Sequence, residues 1–110
     1  MKQGEIWYAE LDPIKGSEQA GRRPVVIVSG NLLNKHLPVV IVMPMTTMIK
    51  NYKGNPVVEP SKENGLKQTS EILVFHIRSV SQERLVKKVG TIRNEDLQLA
   101  RKTLSDLLTF

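Results

Sequence analysis

The sequence predicts an all-β sandwich or small barrel closed by one C-terminal helix, on three observations. Short runs rich in Val, Ile and aromatic residues are punctuated by Pro, Gly, Asn and Ser clusters, without the helical spacers of βαβ units. Two of those runs, PVVIVS (24–29) and LPVVIVMPMTT (37–47), are almost continuously apolar. That is the pattern of central strands covered on both faces. Near the end, RNEDLQLARKTLSDLL changes the hydrophobic period from two to about 3.6.

GEIWYAEL (4–11) is the first strand, with Ile6 and Tyr8 on one face and Trp7 and Ala9 on the other. Pro24 and Pro38 begin the two central strands, where a missing N–H is tolerated. NPVVEP (55–60) and EILVFHIRSV (71–80) follow as further strands, the second placing His76 within it; His36 falls in a loop. LVKKVGTI (85–92) alternates imperfectly and reads as an edge strand with its lysines outward. In the helix, Asn94 is the expected N-cap, and Glu95 and Asp96 suit the positive end of the dipole. Leu97, Ala100, Leu104 and Leu107 or Leu108 form its apolar stripe.

Composition bounds the partners. A chain of 110 residues, 40% of them apolar, matches one globular domain, and no internal repeat or linker divides it. Cysteine is absent, which excludes disulfides and thiolate metal sites and fits a reducing cytoplasm. No apolar run is long enough to span a bilayer, and the N-terminus lacks a leader pattern, so a soluble, unprocessed protein is expected. Sixteen Lys and Arg against eleven Asp and Glu give +5, which favours a polyanion such as nucleic acid.

Chemistry is expected from the two long connections, 12–23 and 47–55, because loops on a rigid β-scaffold carry function disproportionately. Arg23 stands between a glycine-containing loop and Pro24, which confines it to extended backbone and fixes where its side chain departs. Its planar fork of donors suits phosphate oxygens, though a strand-end arginine can equally be plain surface. Arg22, one residue earlier, should point the opposite way. Thr46 and Thr47 end the third strand, where a hydroxyl can donate to the same anion. Lys50 and Lys53, with Tyr52 between them, suit tracking and stacking of a single strand, with Lys62 and Lys67 adding charge further on. No phosphate-binding glycine loop, zinc spacing or nucleophile elbow is present.

Taken in order, GEIWYAELDP, GSEQAGRRPVVIV, PVVIVMPMTT, SEILVFHIRSVSQERL and the helical end resemble the MazF/PemK family of toxin endoribonucleases. The most specific part is G-S-E-Q-x-G-x-R-P-V followed by a hydrophobic strand ending in threonine. The resemblance implies an SH3-like β-barrel with a C-terminal helix, a homodimer, and metal-independent cleavage of single-stranded RNA to a 2′,3′-cyclic phosphate. It also implies a cognate antitoxin as partner, and neither cofactor nor membrane. Arg23 and Thr46 fall on the family's recurrent catalytic positions. Ser17 replaces a histidine carried by some members and Phe75 an acid carried by others, so a mechanism relying on that acid does not transfer.

Glu18 is the only carboxylate of the motif loop and is the expected general base for the 2′-hydroxyl. Ser17, Gln19, Arg22, Thr47, Lys50, Lys53 and His76 are the expected RNA contacts. The alternative on the same scaffold is a toxin that cuts nothing, resembling the gyrase poison CcdB, or a plain RNA-binding module.

Overall fold

The computed structural model, which describes residues 1–11 and 22–110, shows a curled antiparallel sheet with a long helix packed against it. The strands are β1 (Glu5–Glu10), β2 (Arg22–Ile27), β3 (Val39–Thr46), β4 (Val57–Val58), β5 (Ser70–Ile72), β6 (Arg78–Ser81) and β7 (Leu85–Thr91). The helices are α1 (Asn31–His36) and α2 (Asn94–Thr109). Hydrogen-bonded neighbours run β4, β5, β3, β2, β1, β7, and β6 also pairs with β3. The expected mainly β fold with a C-terminal helix is thus observed, the expected small barrel taking the form of a curled half-barrel.

The near-continuous apolar character of β2 and β3 follows from covering both faces of the sheet. Ile6, Val26, Met43 and Met45 join a core that receives Leu97 and Ala100 of α2. Their alternates Ala9, Val25, Ile27 and Val42 form a second core, closed by Val80 of β6 and Leu85 of β7. Val25, Val26 and Ile27 are all fully buried, each contributing about 1.5–3 kcal/mol of hydrophobic stabilisation. β7 lies at the end of the pairing order with Lys87 and Lys88 exposed, as an edge strand requires.

Four expectations are corrected. The run 71–80 is not one strand: β5 stops at Ile72, a 3₁₀ turn spans Val74–His76, and β6 resumes at Arg78. Both segments use the same edge of β3, β5 against Met45 and Thr46 and β6 against Val39 to Val42. Between them the Leu73 amide donates to the Pro44 carbonyl at 2.8 Å and the Val74 amide to Asn55 Oδ1 at 3.3 Å, which draws the chain off the ladder. His76 therefore sits on an exposed turn.

Residues 31–36, with His36 at their end, form α1 instead of a loop. No side chain caps it; buried Asn34 holds it, donating to the Ser29 carbonyl at 3.0 Å and accepting from Ser29 Oγ at 2.5 Å. The N-cap of α2 is Arg93, and Asn94 is its first residue. Arg93 then reaches Asp96 in the first turn at 3.3 Å. Finally, the buried stripe of α2 ends near Leu104, because Leu107 and Leu108 are 51% and 79% exposed.

Candidate nucleic-acid interface

β2 and β3 pair with Val25 opposite Pro44, Val26 opposite Met43 and Ile27 opposite Val42. The ladder ends at Val25 and Pro44; continued by two residues, its register would bring Arg23 level with Thr46. Both share strand parity with Val25, Ile27 and Val42, and so belong to the same sheet face at its rim. Arg23 is exposed, and its side chain makes no hydrogen bond or ion pair with the described residues. Thr46 Oγ1 accepts from the Met48 amide at 3.1 Å, an arrangement that fixes the oxygen and leaves its proton to be donated elsewhere.

Arg22 has the opposite parity, and its Nη2 lies 3.3 Å from Glu10 Oε2 across the β1–β2 ladder. The expected divergence of the two arginines is thus observed. One is paired on its own sheet, and the other has no side-chain partner among the described residues.

Thr47, Lys50, Tyr52 and Lys53 are exposed on the connection from β3 to β4. The residue that shapes this loop escaped the sequence analysis. Glu71, in β5 directly opposite Thr46, has no exposed surface. Its Oε1 accepts from the Lys50 and Asn51 amides at 2.6 and 2.9 Å. Its Oε2 accepts from the Tyr52 amide at 3.1 Å and from Asn55 Nδ2 at 2.9 Å. Successive amides converging on one anion form a nest, here filled by the protein's own carboxylate. The local backbone serves this convergence, with Asn51 at φ 59° and Gly54 at φ 90°. The sequence signal is faint: a glutamate in a strand carries no mark of amides some twenty residues away.

Burial pushes the Glu71 carboxyl up, but the donors from Asn55, Asn51, Lys50 and Tyr52 outweigh it and hold the group below its ordinary 4.5. Glu5 is held low likewise, burial being outweighed by bonds from Trp7 Nε1, the Lys2 amide and Lys88. A depressed carboxyl stabilises the fold fully above its unfolded-state value, and this contribution is lost as pH falls through the folded-state value. Both contributions are therefore intact at neutral pH and disappear below about pH 4.5. Urea midpoints measured from pH 7 to pH 3 should fall steeply at the acid end, and Glu71→Gln should flatten that fall.

On the far side of Asn55, the turn after β5 presents Phe75 and His76. The Tyr52 and Phe75 rings meet edge to face with centroids 5.5 Å apart, and Phe75 meets His76 at 4.5 Å. Lys62 and Lys67 belong elsewhere, to the β4–β5 connection, which bonds to β7 from Glu63. Ser17, Glu18 and Gln19 lie outside the described residues. Among the described residues, no group of three or more His, Asp or Glu could hold a metal ion, and no helix is long and apolar enough to cross a membrane.

A small half-barrel carrying an arginine without a partner among the described residues, an oriented threonine and a lysine-bearing loop has the donor set for a polyanionic ligand. The chain belongs to the family described as PemK-like, MazF-like toxin of type II toxin-antitoxin system, whose model matches residues 2–108. It is 34% identical over 96 residues to endoribonuclease EndoA of Bacillus subtilis, covering 86% of this chain and 83% of that protein. It is 36% identical over 99 residues to endoribonuclease MazF of Staphylococcus saprophyticus, covering 89% and 82% respectively. An endoribonuclease from a mycobacterial species, solved in complex with its cognate antitoxin, superposes with a TM-score of 0.78 at 18% identity. That match covers 98% of this chain and 94% of the other, and speaks for the fold.

Proposed function

We propose that this chain is the toxin of a toxin-antitoxin pair, an endoribonuclease that cuts single-stranded RNA at the rim carrying Arg23 and Thr46. What supports the reading is the β2–β3 register, which continued two residues puts Arg23 level with Thr46 on one sheet face, together with an Arg23 side chain that has no partner among the described residues. Family membership and the endoribonuclease relatives supply the reaction class. By the same kinship the protein acts in the cytoplasm as a homodimer and is held in check by a cognate antitoxin.

In the reaction, the 2′-oxygen attacks the adjacent phosphorus, the bond from phosphorus to the 5′-oxygen breaks, and a 2′,3′-cyclic phosphate remains. Three demands follow: removal of the 2′ proton, stabilisation of the crowded phosphorane, and return of a proton to the departing 5′-oxygen. Arg23 meets the second with fixed donors aimed at developing charge, and Thr46 adds a donor to the same oxygens. Arg23 is unsuited to the first, since a guanidinium offers donors only and no acceptor for the proton. Glu18 is assigned to that step. The substrate is single-stranded because in-line attack needs a backbone geometry that A-form stacking resists.

A labelled single-stranded RNA incubated with purified protein and a chelator tests the reading. Cleavage with cyclic-phosphate ends is the expected result; intact RNA would leave a toxin that cuts nothing. Thr46→Ala should lower turnover about 10²-fold with the circular dichroism spectrum unchanged. Lys50→Ala and Lys53→Ala should each weaken RNA binding and reduce the slope of log affinity against log salt by about 0.7. Unchanged slopes would remove these lysines from the RNA path.

A further inference from the structure

Glu71 lies behind the RNA-facing surface, and its place in the hydrogen-bond network links the two segments that form that surface. Through Lys50, Asn51 and Tyr52 it holds the backbone of the loop that bears both lysines. Through Asn55 it reaches the other segment, because Asn55 donates to Glu71 with Nδ2 and accepts from the Val74 amide with Oδ1, at the start of the turn that presents Phe75 and His76. Gly54, just before Asn55, is tied to α2 by Thr103 Oγ1, which donates to its carbonyl at 2.6 Å. The loop is therefore fixed from inside at both ends of its exposed part.

Only an ionised carboxylate fits this position. Each of its oxygens accepts from two donors, so an amide in its place would turn an NH₂ toward two N–H groups. Such a confrontation in a buried site costs more than the hydrogen bonds it removes. No described cation pairs with Glu71, so its charge is compensated by dipoles of the loop itself. The exposed consequence is aromatic: Tyr52 and Phe75 come from these two segments, and their edge-to-face contact leaves both rings about half exposed. A half-exposed ring beside lysines offers a stacking surface to an unpaired base.

We infer that Glu71 is a positioning residue for RNA: through Asn55 it locks the Lys50–Lys53 loop against the Phe75–His76 turn and so sets a composite stacking and phosphate-binding surface for single-stranded RNA. The inference rests on the RNA-cleaving function proposed above. It assigns Glu71 to substrate binding and not to bond cleavage.

The test uses the full-length chain, with Glu71→Gln, Tyr52→Ala and the double variant assayed on one single-stranded RNA. Glu71→Gln should raise KM about tenfold and leave saturated turnover within about threefold. The double variant should bind no more than about twofold worse than Glu71→Gln alone, since both changes remove one surface. A folded Glu71→Gln protein with wild-type KM overturns the inference, as does a loss confined to kcat or a full multiplication of the two single effects. Should Glu71→Gln fail to fold, the exposed variants Tyr52→Ala and Lys50→Ala decide, and wild-type KM in both overturns it. Fluorescence anisotropy of a labelled RNA separates this outcome from failure of the proposed function. A protein that binds RNA through this surface without cutting it keeps the inference and loses the nuclease.

Discussion

Purified Arg23→Ala protein is expected to lose about 10³-fold in RNA-cleaving turnover while remaining folded, whereas Arg22→Ala loses less than about tenfold. The asymmetry comes from strand parity. Arg22 spends its guanidinium on Glu10, a pair in which both side chains are more than half exposed and which therefore contributes little to stability. The β2–β3 register, continued two residues, would put Arg23 level with Thr46, and the Arg23 side chain has no partner among the described residues, which under the proposed function keeps its donors for a phosphate. Removing an exposed side chain that has no partner among the described residues exposes no core there, so the thermal midpoint should stay within a few degrees. Arg23→Lys should fall between the two alanine variants, because it keeps the charge and loses the planar fork. Arg23→Ala protein that cuts RNA at the wild-type rate would refute the proposed mechanism.

The extended backbone at Arg23 is legible because the residue after it is proline, which marks the strand start. Thr46 was legible because it ends an uninterrupted apolar run. Whether the two lie level depends on register, and strand ends hint at register only when the paired strands are neighbours in sequence. The break at residues 73–77 was hidden for a complementary reason. LVFHI has strand composition throughout, and what bends it is Asn55, from another loop, capturing the Val74 amide. Likewise α1 has no capping side chain to announce it; it is held by Asn34 and by Gln82 Nε2, which donates to the Asn34 carbonyl at 2.8 Å from far along the chain. The periods of the strands and of the helix carried over to the structure, whereas the exact cap and last turn of α2 and the long-range side-chain brackets did not. Glu71 is the extreme case, a charged residue whose burial makes sense only once the amides facing it are known.

The largest effect on stability is expected from a single added methyl. Gly90, in β7 opposite Ile6, lies so close to the turn at 61–66 that a Cβ there would stand 2.4 Å from the Asn64 carbonyl carbon and oxygen. Gly65 makes the reciprocal approach, its Cβ position falling 2.2 Å from the Val89 carbonyl oxygen, with a φ of 68° that already disfavours other residues. Backbone meets backbone at both places, so no rotamer change can relieve the overlap. The turn also cannot yield by itself. Asn64 is buried and bracketed, accepting at Oδ1 from the Ser61 and Leu66 amides at 3.0 and 2.9 Å and donating to the Glu59 carbonyl at 2.8 Å. Gly90→Ala must therefore push the whole turn off β7, stretching the bond from the Thr91 amide to the Glu63 carbonyl, 2.9 Å in the native fold, and lifting Leu66 from the core. Overpacking of this kind costs about 3 kcal/mol. For a domain of this size that lowers the melting temperature by roughly 12–20 °C. Cleavage below the transition should persist, because Gly90 faces Ile6 near the start of β1, while Arg23 pairs with Ala9 about 10 Å further along that strand. Differential scanning calorimetry of Gly90→Ala decides the matter: a midpoint within about 3 °C of wild type would mean that the turn and β7 are not braced as the contacts require.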